Sequence, residues 1–269
     1  MRCARRAWHG TARVVQVGEY ERFRAECDEE VAAQGADDEF SERTRVWTER
    51  AMEHRYSYHF EWLGRPIIQF PQDVVAVQEI VWALQPDLVI ETGIAHGGSL
   101  VLSASLLELN ASCGGPPDAQ VVGVDIDIRA HNRSAILNHP LASRIRMIEG
   151  SSTDPAVFAQ IADMASAVDN VMVCLDSNHT HAHVLDELEI YAPMVSIGSF
   201  CIVFDTLIEE LSEEYLASTD RPWRPGDSPG SAVDAYLAGS GAGRYVVDRS
   251  VTDRLMVTAA PGGYLRRIA

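Results

Sequence analysis

The sequence predicts an α/β fold in which a mostly parallel sheet is covered by helices on both faces. Short segments rich in valine, isoleucine and leucine alternate with helix-prone segments between residues 71 and 205. Parallel strands need crossover connections, which helices usually supply, so this alternation indicates βαβ units. Of the 269 residues, 46% are hydrophobic, which is enough for a sizeable packed core.

The N-terminal part of the chain predicts a helical extension. From Glu19 to about Trp62 the chain is charged and helix-prone. Its apolar residues recur at helical spacing, as shown by Phe23, Cys27 and Val31. We therefore place a helical extension or lid at residues 1–62 and the α/β domain at residues 63–269.

Five buried strands are expected at the start of the α/β domain, each a short apolar segment bounded by turn residues. They lie at 87–91, 121–125, 144–149, 171–176 and 199–205. The helices are expected at 71–84, 99–109, 129–137, from 154 onward and at 179–191. Pro155 stands at the first position of its helix, where the missing N–H removes no hydrogen bond.

The pattern changes after Asp205. Residues 207–230 are irregular and acidic, with three prolines, and a short helix is expected at 231–238. Two strand-like segments follow, at 244–248 and 254–258. Because no crossover helix separates them, we expect an antiparallel pair at the edge of the sheet.

The charge of the chain excludes several classes of protein. The net charge is −17, and all 22 cationic residues are arginines. Without lysine there is no Schiff-base lysine, P-loop lysine or lysine base. The acidic balance argues against nucleic acid and anionic membranes as partners, since both require a basic face.

The cysteines and apolar segments predict a cytoplasmic protein. The five cysteines are scattered and form no Cys-x-x-Cys pair, so neither a disulfide framework nor a zinc knuckle is expected. The start of the chain is basic, but no apolar signal-peptide region follows it. The apolar runs are too short to span a bilayer.

A glycine-rich turn follows the first predicted strand and suggests a nucleotide-binding site. Its glycines allow a sharp bend close to a ligand, and the next helix offers free N–H groups. Gly93-x-Ala95-x-x-Gly98 nearly matches the dinucleotide fingerprint, and Glu91 can hold the amino group of a methionyl moiety. The candidate contacts are Glu91, Gly93, Ala95, Gly97 and Ser99. A tight turn without a ligand is the alternative.

Further candidate nucleotide contacts follow the next two strands. Asp125 ends the second strand, where a carboxylate can accept hydrogen bonds from both ribose hydroxyls of S-adenosylmethionine or NAD. Ile126 is assigned to the same pocket. Ser151 and Ser152 follow the third strand at the same edge of the sheet. They can contact an adenine, and capping the following helix is an equally good explanation.

The ends of the fourth and fifth strands carry the candidate catalytic groups. Asp176 is a candidate metal ligand or cofactor contact. His179 is the preferred general base, because it stands at a helix start facing the crevice and histidine is the side chain suited to proton transfer near neutral pH. Asp176 and Asp205 lie at adjacent strand ends, and two hard carboxylates suit Mg²⁺. Asp205 can instead cap the following turn. His183, four residues after His179, forms a zinc pair with it or has a supporting role.

These residues resemble a known family, the cephalosporin hydroxylases and rhamnosyl O-methyltransferases. The resemblance covers residues 56–269. It is carried by the segments 62–69, 91–99, 125–129, 149–152, 175–177 and 261–267. It implies a class I methyltransferase fold, with a Rossmann-like seven-stranded sheet whose last strand pair is antiparallel. It also implies S-adenosylmethionine and Mg²⁺ as cofactors, and deoxysugar or natural-product hydroxyls as acceptors.

Two segments depart from the family pattern. The family's metal site combines an Asp corresponding to Asp176 with a Glu-Asp-Thr segment, and here Phe204 occupies the position of that Glu. One expected carboxylate is therefore absent. Residues 226–229 also differ from the usual Gly-Asn-Asn-Pro, which is expected near the acceptor.

The resulting prediction is an S-adenosylmethionine-dependent O-methyltransferase of natural-product, including antibiotic, biosynthesis. The acceptor is expected to be a small-molecule sugar or glycosylated natural product, such as a nucleotide-linked rhamnose or a rhamnosyl group. His179 would be the base, Asp176 and Asp205 the metal ligands, and a homo-oligomer the assembly.

Three alternatives remain open at this point. An NAD-dependent oxidoreductase would use the same crevice and would need a sixth parallel strand. A hydroxylase would need an iron site, for which residues 59–61 offer a His-x-acid triplet. A non-catalytic paralogue would bind the cofactor alone.

Overall fold

Two helices begin the described part of the chain. The computed structural model describes residues 12–269, so Cys3 and the basic start at residues 1–6 lie outside it. Helix α1 spans Ala12–Gly35 and α2 spans Asp38–Glu53. The α-helices therefore end well before the predicted limit at residue 62.

A small hairpin replaces the predicted end of the helical extension. Strand β1 (Phe60–Trp62) pairs antiparallel with β2 (Arg65–Ile67) across a turn at Leu63 and Gly64. Gly64 has a φ of +84°, which glycine adopts without strain. The Trp62 indole N–H donates to Ser105 Oγ at 3.0 Å, which ties the hairpin to a later helix.

A seven-stranded sheet forms the centre of the domain and confirms the predicted α/β fold. Its strands are β3 (Leu88–Thr92), β4 (Gln120–Asp125), β5 (Ile145–Glu149), β6 (Val171–Leu175), β7 (Phe200–Val203), β8 (Tyr245–Val247) and β9 (Tyr264–Arg267). The spatial order is β5-β4-β3-β6-β7-β9-β8. The first five are parallel, and β9 runs antiparallel to both β7 and β8.

Helices cover both faces of the sheet. They are α3 (Pro71–Leu84), α4 (Gly98–Ser112), α5 (Ala130–Leu137), α6 (Pro155–Ser166), α7 (His181–Tyr191), α8 (Glu213–Ala217), α9 (Pro229–Ala238) and α10 (Arg249–Leu255). Along β3, Val89 belongs to the apolar core on the α3 and α4 face and Ile90 to the core on the α6 and α7 face. Both faces of each central strand are thus apolar, as buried parallel sheets require.

The prediction of a strand at 254–258 was wrong. This stretch begins with the end of α10, and the last strand is β9, inserted between β7 and β8. Val251 and Leu255 are four residues apart and pack on the same apolar core, which favours a helix. The predicted antiparallel pair exists, but its second member lies ten residues further along the chain.

Buried Asp73 at the start of α3 anchors the segment that precedes β9. Its carboxylate accepts hydrogen bonds from Thr258 Oγ1, from the Ala259 N–H at 2.8 Å and from the Tyr264 hydroxyl at 2.7 Å. Burial raises the pKa of Asp73 to about 6. One side chain therefore joins the first helix of the domain to its last strand.

The segment after β7 is connected to the N-terminal helices. It contains a 3₁₀ turn at Thr206–Glu210 and the short helix α8. The Glu49 carboxylate on α2 accepts hydrogen bonds from the Ser212 N–H at 2.9 Å and from Ser212 Oγ at 2.6 Å. Within residues 12–269, no helix combines the length and apolarity needed to cross a bilayer.

Candidate active site

A cleft of about 580 Å³ lies at the carboxyl ends of the central strands β3, β6 and β7. We call it the main cleft; its walls include Tyr58, Gln69, Gly93, Asp176, His179 and Asp205. A second space of about 370 Å³, the side cavity, lies at the ends of β4 and β5. The residues that line both are Gly93, Asp125, Ser177, His179, Arg221 and Trp223. Ligands of open α/β sheets bind at this edge.

The glycine-rich turn brings the backbone of two strand ends close together. Gly93 has a φ of +90°, and a Cβ at this position would collide with the backbone oxygen of Asp176. Gly97 and Ala95 also have positive φ values, of 84° and 46°. The Asp125 carboxylate accepts hydrogen bonds from Ile94 N–H at 2.8 Å and from Ala95 N–H at 3.2 Å. Asp125 thus supports the turn and also lines both spaces.

Two buried oxygens below the turn have no hydrogen-bond partner among the described residues. They are Glu91 Oε1 and Gln69 Oε1. The other Glu91 oxygen lies 3.5 Å from Ser103 Oγ. Both residues border a small void together with Ser99 and Asp176. Buried acceptors are rarely left unpaired, so this position suits a ligand that donates several hydrogen bonds.

Burial raises the pKa of Glu91 to about 7, and hydrogen bonds from Ser99 and Ser103 oppose the rise. A bound cation would therefore favour the ionised carboxylate. Gln69 was not among the predicted site residues. Its sequence signal was weak, because a single glutamine after two isoleucines does not distinguish a surface residue from a buried acceptor.

The side cavity is lined by the residues predicted to contact a nucleobase. Ile126 is exposed, and Ser151 and Ser152 lie in the loop after β5. Ser152 Oγ lies 3.1 Å from His183 Nε2, and the Tyr191 hydroxyl donates to the Ser152 carbonyl at 2.6 Å. The loop is therefore held by two side chains of α7.

His183 connects this loop to the loop after β6. Its Nε2 lies 3.2 Å from Ser177 Oγ and 3.4 Å from Glu187 Oε1. Glu187 is fully buried and accepts a hydrogen bond from Ser177 Oγ at 2.7 Å, while its Oε2 has no partner in the described part of the chain. The carboxylate of Glu187 raises the pKa of His183. Glu187 was not predicted, because a fully buried acid on an amphipathic helix carries no local motif.

Asp176, His179 and Asp205 form a cluster at the floor of the main cleft. One ligand atom from each lies within 4.8 Å of the others. His179 Nδ1 lies 3.0 Å from Asp205 Oδ2. Burial raises the pKa of Asp176 well above its ordinary value, and the nearby Asp205 charge adds to this. Such a cluster can bind a divalent cation or hold a histidine in one tautomer.

Phe204, which takes the place of the family's Glu, is buried in the apolar core and also borders the main cleft. It supplies no ligand. Asp205, the next residue, has a φ of +57°.

The segments at His181 and at 226–229 stabilise the junction of α7 and α9. The ring Nδ1 of His181 lies 2.8 Å from Ser231 Oγ. The backbone N–H of His181 donates to Asp227 Oδ1 at 2.9 Å. Residues 226–229 line neither the main cleft nor the side cavity.

The strand order with an antiparallel last pair, together with the cleft at the end of its central strands, defines a class I methyltransferase. The chain belongs to the Rhamnosyl O-methyltransferase/CmcI family, whose model matches residues 54–268. It is an S-adenosylmethionine-dependent O-methyltransferase, as predicted, and this favours methyl transfer over the NAD-dependent alternative.

The chain is similar to curated relatives from mycobacteria. It is 32% identical over 203 residues to the rhamnosyl O-methyltransferase of Mycobacterium bovis (strain BCG / Pasteur 1173P2), which covers 72% of this chain and 73% of that protein. It is 29% identical over 209 residues to the rhamnosyl O-methyltransferase of Mycobacterium leprae (strain TN), covering 77% and 82%.

Solved structures show the same fold at lower identity. An apo structure of CmcI superposes with a TM-score of 0.53 and 18% identity, and covers 79% of this chain and 77% of that one. A structure of CmcI with Mg and SAM gives a TM-score of 0.52 and 18% identity, covering 79% and 78%.

Proposed function

We propose that the protein methylates a hydroxyl group of a deoxysugar, using S-adenosylmethionine as methyl donor and His179 as base. The observation that carries the proposal is the cluster of Asp176, His179 and Asp205 beside the glycine-rich turn. The relatives named as rhamnosyl O-methyltransferases support a rhamnose-type acceptor.

The residues of the cleft fit S-adenosylmethionine. An ammonium group has three donors, and Glu91 Oε1 and Gln69 Oε1 are unpartnered acceptors near the end of β3. Asp125 would accept hydrogen bonds from the ribose hydroxyls. Ile126, Ser151 and Ser152 would contact the adenine in the side cavity. The turn at Gly93, Ala95, Gly97 and Ser99 would enclose the methionyl part.

The cofactor supplies an electrophilic methyl group on a positively charged sulfur. The attacking hydroxyl oxygen forms the new C–O bond as the C–S bond breaks, and the hydroxyl proton must leave. His179 is placed to take it. Its Nδ1 lies 3.0 Å from Asp205 Oδ2. With the Nδ1 proton facing this carboxylate, Nε2 would have a free lone pair that can accept the proton from the acceptor.

Two carboxylates of the cleft fit a divalent cation. Asp176 and Asp205 offer hard oxygen ligands, and Mg²⁺ commonly takes one or two carboxylates and keeps several waters. When bound, Mg²⁺ would lower the pKa of the acceptor hydroxyl and orient it. Because Phe204 supplies no ligand, we expect weak binding of the metal.

Residues 1–62 are proposed to act as a lid over the acceptor, with residues 63–269 as the catalytic domain. The hydrogen bonds from Ser212 to Glu49 support this division of roles, since they join α2 to the segment beside the cleft. Tyr58 from the same region lines the main cleft, while Tyr56 packs against Trp47, Phe60 and Phe70. Homo-oligomerisation remains a prediction.

A two-part experiment tests the proposal. Calorimetry should detect binding of S-adenosylhomocysteine and should detect no binding of NADH. Labelled S-adenosylmethionine is then supplied with a panel of deoxysugars, both nucleotide-linked and glycosidic. Transfer of label to a sugar hydroxyl is expected. Binding of S-adenosylhomocysteine without transfer to any member of the panel would support a non-catalytic protein and contradict the proposal.

A further inference from the structure

The outer wall of the main cleft carries two arginines without acidic partners. Arg55 and Arg221 both line this cleft, and Arg221 also lines the side cavity. Among the side chains of residues 18–269, neither guanidinium forms an ion pair with a carboxylate. Both arginines are exposed at the mouth of the cleft. Their positive charges are therefore available to a ligand.

Arg55 is held in place by an unusual local structure. Its backbone is left-handed, with φ 53° and ψ 39°, a conformation that residues with a Cβ seldom adopt. Its guanidinium carbon lies 4.2 Å from the centre of the Tyr58 ring. Stacking on an aromatic face leaves the N–H groups at the edge of the guanidinium free to donate. Residues in this rare backbone region are often found where ligands are clamped.

The positive charges of Arg55 and Arg221 contrast with the negative charge of the rest of the cleft. The chain has a net charge of −17, and the floor of the main cleft carries the carboxylates of Asp125, Asp176 and Asp205. An anionic acceptor would be repelled by most of this surface. A neutral sugar needs no arginine at the mouth of the cleft, whereas an anionic group there has two.

We propose that Arg55 and Arg221 bind the diphosphate of a nucleotide-activated sugar, so that the acceptor is a nucleoside diphosphate sugar. This rests on the proposed function, because it assigns the acceptor of the same methyl transfer. Arginine binds phosphate oxygens through paired N–H donors. The sugar ring lies inward, towards Asp176 and His179, and the diphosphate lies at the mouth. Trp223 and Tyr58 border the same region and offer aromatic faces to a base.

Calorimetry on the protein saturated with S-adenosylhomocysteine tests this assignment. The probes are uridine diphosphate, thymidine diphosphate, inorganic pyrophosphate and methyl α-rhamnoside. We expect a nucleoside diphosphate to bind more tightly than pyrophosphate, the neutral glycoside to bind most weakly, and added salt to reduce the affinity for the nucleoside diphosphates. Arg55→Gln and Arg221→Gln should each weaken nucleoside diphosphate binding about tenfold.

Arg146→Gln is the matched control. Arg146 is exposed on β5 and lines neither the main cleft nor the side cavity. This variant removes the same charge and should leave nucleoside diphosphate affinity within about twofold of wild type, as expected of screened distant charges. Equal binding by wild type and all three variants would overturn the assignment, as would methylation of the neutral glycoside without any nucleoside diphosphate binding.

Two further outcomes distinguish recognition of the nucleoside from recognition of the diphosphate, and both from binding of the cofactor. Pyrophosphate binding as tight as that of the nucleoside diphosphates would overturn the nucleotide part. The affinity of Arg55→Gln for S-adenosylhomocysteine should equal that of wild type, because Arg55 is not among the residues proposed to contact the cofactor. If the wild-type protein itself fails to bind S-adenosylhomocysteine, the proposed function fails first, whatever the diphosphate result.

Discussion

His179 Nδ1 and Asp205 Oδ2 lie 3.0 Å apart, across the ends of two adjacent parallel strands. Asp205 follows β7, and His179 lies in the loop between β6 and α7. Because Nδ1 is the ring nitrogen that faces the carboxylate, the other ring nitrogen, Nε2, points away from it. A carboxylate at this distance favours the tautomer whose proton is on Nδ1 and leaves Nε2 to accept a proton.

Replacing His179 should remove the base and leave the cofactor site intact. In His179→Ala, kcat is expected to fall by about 10²–10⁴-fold, the usual contribution of a general base. The affinity for S-adenosylhomocysteine should stay at the wild-type value. Steady-state kinetics and calorimetry measure both. His181→Ala is the control, because His181 bonds to Ser231 and lines neither space. Retention of most activity in His179→Ala would exclude this role.

Divalent cations should stabilise the protein through Asp176 and Asp205. Titrating Mg²⁺ into the protein with S-adenosylhomocysteine should raise its Tm, with saturation only at high concentration because Phe204 provides no ligand. Asp176→Asn should abolish the shift, while Asp127→Asn, at an exposed carboxylate after β4, should not. Differential scanning fluorimetry gives the answer without an acceptor. An undiminished shift in Asp176→Asn would place the metal elsewhere.

Cofactor affinity should depend on the ionisation of Glu91. The pKa of this buried carboxyl is raised to about 7, so it is largely protonated below that pH in the free protein. An ammonium group binds the carboxylate, and affinity for S-adenosylhomocysteine should therefore rise between about pH 6 and about pH 8. Glu91→Gln should bind more weakly and lose this rise, and exposed Glu61→Gln should keep it. Calorimetry at several pH values measures the slope.

The same shift predicts the direction of a stability change. Since the folded state holds the Glu91 proton to a higher pH than the unfolded chain, stability without ligand falls as pH rises from the ordinary pKa to about 7. Glu91→Gln removes this loss. Its Tm should exceed that of wild type at pH 8 and approach it at pH 5. The reverse order would contradict a raised pKa.

Glu187 should position the two loops that border the side cavity. Glu187→Ala leaves Ser177 Oγ without its acceptor and His183 without its carboxylate. We expect the affinity for S-adenosylhomocysteine to fall about tenfold, the scale of a lost charge-assisted hydrogen bond. At saturating cofactor, kcat should change much less. Glu189→Ala on the same helix is the control; its carboxylate bonds to Ser240 outside both spaces. Equal affinities would show that the loops do not depend on Glu187.

Asp73 should be important for stability and not for binding. Asp73→Ala leaves three buried donors, from Thr258, Ala259 and Tyr264, without an acceptor. Each unsatisfied group costs about 1–3 kcal/mol, so unfolding free energy should fall by several times the effect of Tyr264→Phe, which loses one bond worth about 1 kcal/mol. Urea titration compares the two variants. A loss in Asp73→Ala no larger than in Tyr264→Phe would contradict this account.

The sequence predicts the strand ends better than it predicts the site as a whole. Buried parallel strands are continuous apolar runs, so the polar residue that ends each run can be read directly, as at Asp125 and Asp176. The parallel arrangement then places these residues at one edge of the sheet. The glycine-rich turn is local, and its residues are also recognisable.

Other features depend on tertiary contacts that no local pattern encodes. Gln69 becomes a site residue because it borders a small void with Glu91 and Asp176. Glu187 becomes one because it contacts Ser177 and His183. Residues 254–258 contain Leu255, Met256 and Val257, which fit a strand or a helix end equally well. The helix α10 ends at Leu255, where Val251 and Leu255 contact the core, and residues 256–258 are neither helix nor strand. The position of β9 between β7 and β8 follows from the sheet and not from the order of the chain.

The position of β9 after β7 and β8 in the chain, but between them in the sheet, affects how the sheet is completed during folding. Strands β7 and β8 precede residues 264–267 in the chain, and until β9 pairs with both of them, the edge of each strand that faces β9 is open. A folding chain in which residues 258–267 have not yet docked would expose two unpaired strand edges and leave the Asp73 carboxylate without its hydrogen bonds. Docking of this segment therefore both closes the two strand edges and supplies the Asp73 carboxylate with its donors.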